Sequence, residues 1–211
     1  MIKCPLCLNT SLNEFDNLEG IIYLQCVNCK SVFKHFENFP SLKAEKERYL
    51  LHNNDIASKG YQAFVQPIVQ GILKSKPNSA VGLDFGAGTG PVIAEMLRGK
   101  GYNISLYDPF FHPEVAVLNI TYDFIICCEV IEHFHAPNNE FALLRKLLKP
   151  GGSLFCMTHL LPEKESFRNW YYKNDPTHVI FYSAENIQWI KSNFNFSEVK
   201  IEDRLIVFET R

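Results

Sequence analysis

From Ala80 onward the chain alternates short apolar runs with stretches whose apolar residues recur at helical spacing. Ala80–Phe85, Ile104–Tyr107, Tyr122–Cys128 and Ser153–Thr158 have the length and character of buried strands. Pro91–Arg98 and Asn139–Leu148 read as the intervening helices, the second closed by Lys149-Pro150-Gly151-Gly152. Such alternation predicts an α/β fold, a doubly wound, mostly parallel sheet with helices on both faces. Ser183–Asn193 reads as a further helix, with Ser183 as N-cap and Glu185 and Asn186 in the first turn. Two closing strands, Ser197–Ile201 and Arg204–Glu209, are separated only by Glu202 and Asp203, which allows a hairpin and forbids a parallel crossover. Upstream, Leu42, Tyr49 and Leu50 among charged residues suggest an amphipathic helix from Ser41 to about His52. A second runs from Lys59 to about Lys74, with Tyr61, Phe64, Val65, Ile68, Val69, Ile72 and Leu73 at helical spacing. Before Pro40 there are turn residues and short extended pieces such as Ile21–Leu24. The pattern divides the chain into residues 1–40, a helical linker or lid region at 41–78, and an α/β domain at 79–211.

The cysteines change the picture at the N-terminus. Of seven, four form Cys4-x-x-Cys7 and Cys26-x-x-Cys29, with 18 residues between the pairs. This spacing suits four thiolates around one tetrahedral zinc, and forty residues alone bury too little apolar surface to fold without such a staple. A redox pair is the competing reading. A closed four-cysteine site leaves no open position for catalysis, so a zinc ribbon here is structural. Cys127, Cys128 and Cys156 lie in strand-like runs and read as small buried hydrophobes.

Composition narrows the partners. With 46% hydrophobic and 21% charged residues the chain is ordinary for a soluble globular protein. No run approaches the roughly 18 apolar residues of a membrane helix, and no export signal stands at Met1–Leu8, so a cytoplasmic location without membrane contact is expected. Twenty-one basic against 23 acidic residues give a net charge of −2, and residues 1–52 hold six of each. That balance offers no footprint for a phosphate backbone, so a nucleic-acid substrate is not favoured.

The most informative stretch is Asp84-Phe85-Gly86-Ala87-Gly88-Thr89-Gly90-Pro91, a strand running through a glycine-rich turn into a helix. Glycines let the chain turn tightly and let a ligand approach the main chain. A dinucleotide site wants G-x-G-x-x-G, but Pro91 holds the place of the third glycine, which argues against a nicotinamide dehydrogenase. A second acid is due about 20 residues on to hold ribose hydroxyls. Asp108, in Tyr107-Asp108-Pro109, stands 18 residues after Gly90. The plain alternative is a tight strand–helix connection with no ligand.

These motifs resemble the class I S-adenosylmethionine-dependent methyltransferases, most of all the small-molecule methylases typified by ubiquinone-biosynthesis O-methyltransferases. The resemblance covers Ala80 to Arg211 and is sharpest at Leu83–Gly90, Leu106–Pro109, Tyr122–His133 and Leu147–Gly152. It implies a Rossmann-like seven-stranded sheet whose last strand is antiparallel. It implies that Asp84, Gly86, Ala87, Gly88 and Gly90 line the methionine portion of S-adenosylmethionine, that Asp108 with Pro109 holds the ribose, and that Cys128 and Glu129 sit beside the cofactor. The whole chain also looks like a group of bacterial methyltransferase-like proteins with a Cys-x-x-Cys head, an Arg48–Asn54 segment and an Asp175–Tyr182 segment. No third strand is legible between Asp108 and Tyr122. Some ribosomal RNA methyltransferases carry a similar zinc head, which keeps RNA as the runner-up to a small-molecule acceptor. A non-catalytic S-adenosylmethionine-binding domain is the rival from another class.

Catalytic candidates follow the fourth strand, in Cys128-Glu129-Val130-Ile131-Glu132-His133. If this turn is helical, Glu129 stands i, i+3 from Glu132 and i, i+4 from His133, so all three share a face. By resemblance to O-methyltransferases with such a group they would bind a divalent cation, which lowers the pKa of an acceptor hydroxyl, and His178 would complete the set. Alternatively His133 or His178 acts as a general base, or the residues are structural. Trp170, Tyr171, Tyr172, Asp175 and His178, in Phe167–Tyr182, would form a substrate lid, and Arg48, Tyr49 and His52 would reach the same mouth.

Overall fold

The computed structural model describes residues 1–51 and 54–211. Two β-hairpin-like strands open the chain, β1 (Leu12–Leu18) and β2 (Ile21–Cys26), joined by Glu19-Gly20 with φ of 53° and 86°. Both central residues at positive φ match the right-handed twist of the strands they connect. β3 (Val32–Lys34) pairs antiparallel with β2. Then come α1 (Leu42–Leu50), capped by the Ser41 side chain, and α2 (Lys59–Ser75), capped by Ser58. His52, where the first helix was expected to end, lies outside the described residues, as does Asn53.

The remainder follows the expected alternation: β4 (Val81–Phe85), α3 (Val92–Arg98), β5 (Asn103–Tyr107), β6 (Tyr122–Cys128), α4 (Pro137–Leu147) and β7 (Leu148–Met157). After them come α5 (Lys164–Phe167), β8 (Ile180–Phe181), α6 (Ala184–Asn193), β9 (Glu198–Glu202) and β10 (Leu205–Glu209). Ser183 caps α6 by accepting the Asn186 N–H, as its sequence predicts. Lys149-Pro150-Gly151-Gly152, expected as a loop, lies within β7 instead. Tyr122 pairs with Leu148, the register then shifts, and Phe124 meets Ser153, so the loop bulges out of a strand that pairs at both ends.

β4 to β7, β9 and β10 form one sheet in the order β5-β4-β6-β7-β10-β9. The first four strands are parallel, and β10 runs antiparallel to both β7 and β9. The sheet has six strands among the described residues, not the seven that the resemblance implied. Where a third strand was due, Val115–Asn119 forms a 3₁₀ helix, none of its residues is buried, and β5 is left as the edge. A strand there would need an apolar run to bury, and Pro113-Glu114 breaks the segment.

Helices cover both faces of this sheet. On one side Val65, Ile68, Val69 and Ile72 of α2 pack with Ala94 and Leu97 of α3 against Phe124, Ile126 and Phe155. Each of these side chains is at most 1% exposed, and burying one is worth about 1.5–3 kcal/mol relative to solvent. On the other, Phe141, Leu144 and Leu147 of α4 and Ile187 and Ile190 of α6 meet Ile125, Cys127 and Cys156. Cys4, Cys26, Cys29 and Phe33 belong to that same cluster. The N-terminal strands are joined to the larger domain by more than packing: β3 pairs with β8, so the second sheet reads β1-β2-β3-β8. Phe15, Tyr23 and Val32 close a third cluster with Phe167, Tyr172 and Phe181. No helix among the described residues is long and apolar enough to cross a membrane.

Candidate functional site

Parallel strands bring their carboxyl ends to one edge, and the chain reverses direction across the sheet between β5 and β6, on either side of β4. A crevice opens at such a switch point. Here it is a cleft of about 1430 Å³. Asp84, Gly86, Ala87, Gly88, Gly90, Asp108, Pro109, Cys128 and Glu129 all line it, so the structure gathers every cofactor residue expected from the sequence at one opening.

The glycine loop is shaped by protein neighbours as well as by any ligand. Gly86 has φ of 83°, and a Cβ there would lie 2.5 Å from a Val130 methyl. A Cβ on Gly90 would lie 1.9 Å from the Asn54 carbonyl oxygen, because the α1–α2 connection crosses the loop at that point. The sequence gives no sign of Asn54's role, which depends on a contact 36 residues away. Asp108 is buried and binds the same loop. Its Oδ2 accepts the Gly88 N–H at 3.0 Å, and its Oδ1 accepts those of Phe110 and Phe111 at 2.8 and 3.0 Å. An ionised carboxylate has about four acceptor positions, so one on Oδ2 is left for a ligand hydroxyl. Asp84, at the end of β4, is 5% exposed, and burial, opposed by Arg98, pushes its carboxyl up to about 7.

Glu129 begins the far side of the cleft. Its φ is 52°, a conformation that costs a non-glycine residue about 1–2 kcal/mol and that clusters at functional sites. The Glu129 N–H donates to Met157 O at 2.8 Å, which holds the residue at the end of β6. The turn after it is therefore not a continuous α-helix: Glu129 is left-handed, and only Ile131–His133 forms a 3₁₀ turn. The expected set of Glu129, Glu132 and His133 is corrected accordingly. The ligand atoms of Glu132, His133 and His178 lie within 4.8 Å of one another, and Glu129 is not among them. Glu129 and Glu132 meet instead through Tyr172, whose single hydroxyl lies within hydrogen-bond reach of both, at 2.9 Å from Glu129. Burial, then the Glu129 charge, drive the Glu132 carboxyl well above its ordinary range; burial also raises Glu129. Glu129 Oε1 and Glu132 Oε2 are buried with no hydrogen-bond partner among the described residues. Glu129 lines the cleft, whereas Glu132 is fully buried behind it.

Both histidines are held by carbonyls. His133 Nδ1 lies 3.0 Å from Thr177 O and His178 Nδ1 2.7 Å from Tyr172 O. A carbonyl only accepts, so each Nδ1 carries the proton and Nε2 is the basic nitrogen of the neutral ring. The rings pack edge to face at 4.7 Å. Of the expected lid, Tyr171, Tyr172, Asp175 and His178 line the cleft, while Trp170 packs against Phe181. Arg48 and Tyr49 line it too, Arg48 donating to Asp175 Oδ2 at 2.7 Å. Against burial, which raises it, Thr177 and Arg48 hold the Asp175 carboxyl well below its usual range. His52 lies outside the described residues.

The four N-terminal cysteines converge elsewhere, none of them lining the cleft. They are unbridged, their sulfurs all lie within 4.8 Å of one another, and Cys4–Cys29 and Cys7–Cys26 are 3.5 and 3.3 Å apart. A zinc–sulfur bond of about 2.3 Å implies tetrahedral edges of about 3.8 Å, so the set fits. The two pairs repeat one turn: Leu8 N–H donates to Cys4 O and Lys30 N–H to Cys26 O, both at 3.0 Å. Leu8 and Lys30 have φ of 61° and 62°.

No curated protein sequence matches this chain. Among solved structures, it is similar to a Burkholderia thailandensis 1,6-didemethyltoxoflavin N1-methyltransferase with 1,6-didemethyltoxoflavin and S-adenosylhomocysteine bound. The TM-score is 0.57 at 12% identity, over 88% of this chain and 98% of that one. A methyltransferase of calicheamicin biosynthesis in its S-adenosylhomocysteine-bound form gives 0.51 at 14% identity over 81% of this chain. An O-methyltransferase family protein from Burkholderia thailandensis gives 0.50 at 14% over 70%. This chain spans 61% and 56% of the lengths of the last two. At these identities the likeness is one of fold. Residues 57–201, more than half of the sequence, match the family model described as a methyltransferase domain, and the chain belongs to that family.

Proposed function

We propose that the chain is an S-adenosylmethionine-dependent methyltransferase acting on a small molecule. The observation that carries this reading is the extent of the cleft. It runs without interruption from the glycine loop and Asp108 to Glu129, Tyr172 and His178, and about 1430 Å³ exceeds the roughly 300–1,000 Å³ typical of a pocket for one small ligand. The structural neighbours that carry S-adenosylhomocysteine, one of them together with a small heterocycle, support it. When bound, S-adenosylmethionine supplies a methyl group on a sulfonium, ready for in-line displacement. The chain's own work is then alignment, which is worth several kcal/mol when the reacting atoms are held within contact. Asp108 Oδ2 orients the ribose hydroxyls, and Asp84 and the glycine loop face the methionine portion. Glu129 and Tyr172 hold the acceptor. Nε2 of His178 or His133 takes its proton.

A second reading of the histidines has its own observation. Glu132 Oε2 is buried without a partner beside two imidazoles whose Nε2 atoms are the basic ones, a donor set that fits a divalent cation. The four-cysteine cluster is proposed as a structural zinc site on the geometry above. A cytoplasmic location agrees with thiols kept unbridged.

Calorimetric titration with S-adenosylhomocysteine tests the main reading. One site should appear, weakened at least tenfold by Asp108→Ala. No heat of binding in the folded protein would remove the assignment. Activity that survives exhaustive chelation would decide for the histidine base over the cation.

A further inference from the structure

Past Glu129 the cleft continues beyond the ends of two more strands, to an arginine that has no ion pair among the described residues. Arg204, in the turn between β9 and β10, lines this end together with His159 and Tyr171. The guanidinium lies 4.5 Å over the Phe64 ring, which fixes its plane. One of its nitrogens is 3.4 Å from His159 Nε2, and the Tyr171 hydroxyl is 3.0 Å from the same nitrogen.

Three other arginines of this chain are neutralised, whereas Arg145 and Arg211 enter no ion pair among the described residues but do not line the cleft. Arg48, in the same cleft, pairs with Asp175 at 2.7 Å, Arg98 with Glu95 at 2.6 Å and Arg168 with Asp16 at 2.8 Å. Arg204 enters no ion pair among the described residues. Its field reaches Glu129, but the two form no ion pair, and Glu129 Oε2 is bonded to Tyr172. A guanidinium cannot discharge by losing a proton, and its planar fork matches carboxylate and phosphate oxygens.

We propose that this end of the cleft is an anion subsite: the methyl acceptor carries a carboxylate or phosphate group that pairs with Arg204, flanked by His159 and Tyr171. The proposal rests on the methyltransferase reading above and adds the substrate class. β10 lies two strands from β6, so Arg204 and Glu129 stand about 10 Å apart along the sheet edge, at about 4.8 Å per strand. That span suits one ring, or a short chain of similar length, with the acid at one end and the accepting atom at the other.

The test is calorimetric, on the full chain with and without S-adenosylhomocysteine. The probes are 4-hydroxybenzoate and phenyl phosphate, with phenol as the uncharged comparison. The two anions should bind at least tenfold more tightly than phenol, and the stronger of them identifies the group. Arg204→Met, which keeps an apolar stem over Phe64, should cost tenfold or more in anion affinity and less than twofold in S-adenosylhomocysteine affinity. Arg145→Met, at an arginine over Phe196 outside the cleft, should change neither. Anions that bind no better than phenol, or that bind the folded Arg204→Met variant as well as the parent, overturn the subsite. Failure of S-adenosylhomocysteine to bind the parent would strike the methyltransferase reading instead, and the titrations without it still judge Arg204.

Discussion

At the scale of single residues, Asp84 shows how the cleft loads a buried charge. A carboxyl lifted to about 7 by burial is a group whose folded-state value exceeds its unfolded one. The stability it contributes is full below the unfolded value, near 4, and is lost as pH rises through about 7. Asp84→Asn should therefore stabilise the free protein at pH 8, by up to about 4 kcal/mol, measured by denaturant unfolding. The ligand's ammonium group would favour the ionised form, so S-adenosylhomocysteine affinity should climb as pH rises from 6 to 8 in the parent. It should be flat in the variant, and an equal slope in both would show that Asp84 does not face that group. Leu8 shows strain of another kind. It is 55% exposed and left-handed in the first cysteine turn, so its side chain brings little packing to offset the conformation. Leu8→Gly should raise unfolding stability by about 1 kcal/mol, and a loss of stability would mean that the side chain packs more than its exposure shows.

Among elements, β8 is the hinge of the arrangement. Two residues long, it ties the cysteine-bearing strands to the segment that carries Asp175 and His178. Lys34 reinforces that tie. Its side chain is 2% exposed and its Nζ donates to the carbonyls of Asp175 and Pro176 at 3.0 and 3.2 Å. Burial, partly offset by Asp175, lowers its ammonium to about 8. Thr177, two residues on from Asp175, supplies the carbonyl that orients His133, and Val179 N–H donates to Glu132 O at 2.9 Å. Lys34→Met keeps the stem and removes both bonds while Asp175 O keeps the one from His178 N–H at 3.2 Å, a loss of about 1–2 kcal/mol. Methyl transfer should lose kcat while S-adenosylhomocysteine affinity holds within threefold, because the glycine loop is carried by other strands. Equal losses in both would mean general unfolding instead of a misplaced acceptor wall.

For the whole molecule, the same connection links the cysteine cluster to the cleft. Asn186 Nδ2 donates to Cys29 O at 2.8 Å, and Asn138 Nδ2 to Leu6 O at 2.8 Å, so α6 and α4 also grip the cysteine turns. On the proposed zinc site, chelation should lower the melting temperature by several degrees or more. Hydrogen exchange should then show lost protection in residues 175–182 as well as in 4–34. Loss confined to the cysteine turns would separate the two sheets energetically.

What could be read from the residue order alone was whatever depends on short-range pattern. The period of apolar residues marked the strand–helix alternation, two residues between closing strands dictated a hairpin, and Cys-x-x-Cys spacing marked the sulfur cluster. Asp84 and the glycines were legible because a strand, a turn and a helix place them within a few residues of one another, and Asp108 because it ends the next strand at the expected spacing. Tertiary structure decided the rest. The helical face expected of Glu129, Glu132 and His133 failed because Glu129 is held left-handed by a bond to β7, a strand remote in sequence. The β3–β8 pairing, Asn54 across Gly90 and Arg204 beside His159 all arise from contacts between distant segments. Local propensity carries no record of such contacts, since the partner that fixes each conformation is supplied only when the chain has folded.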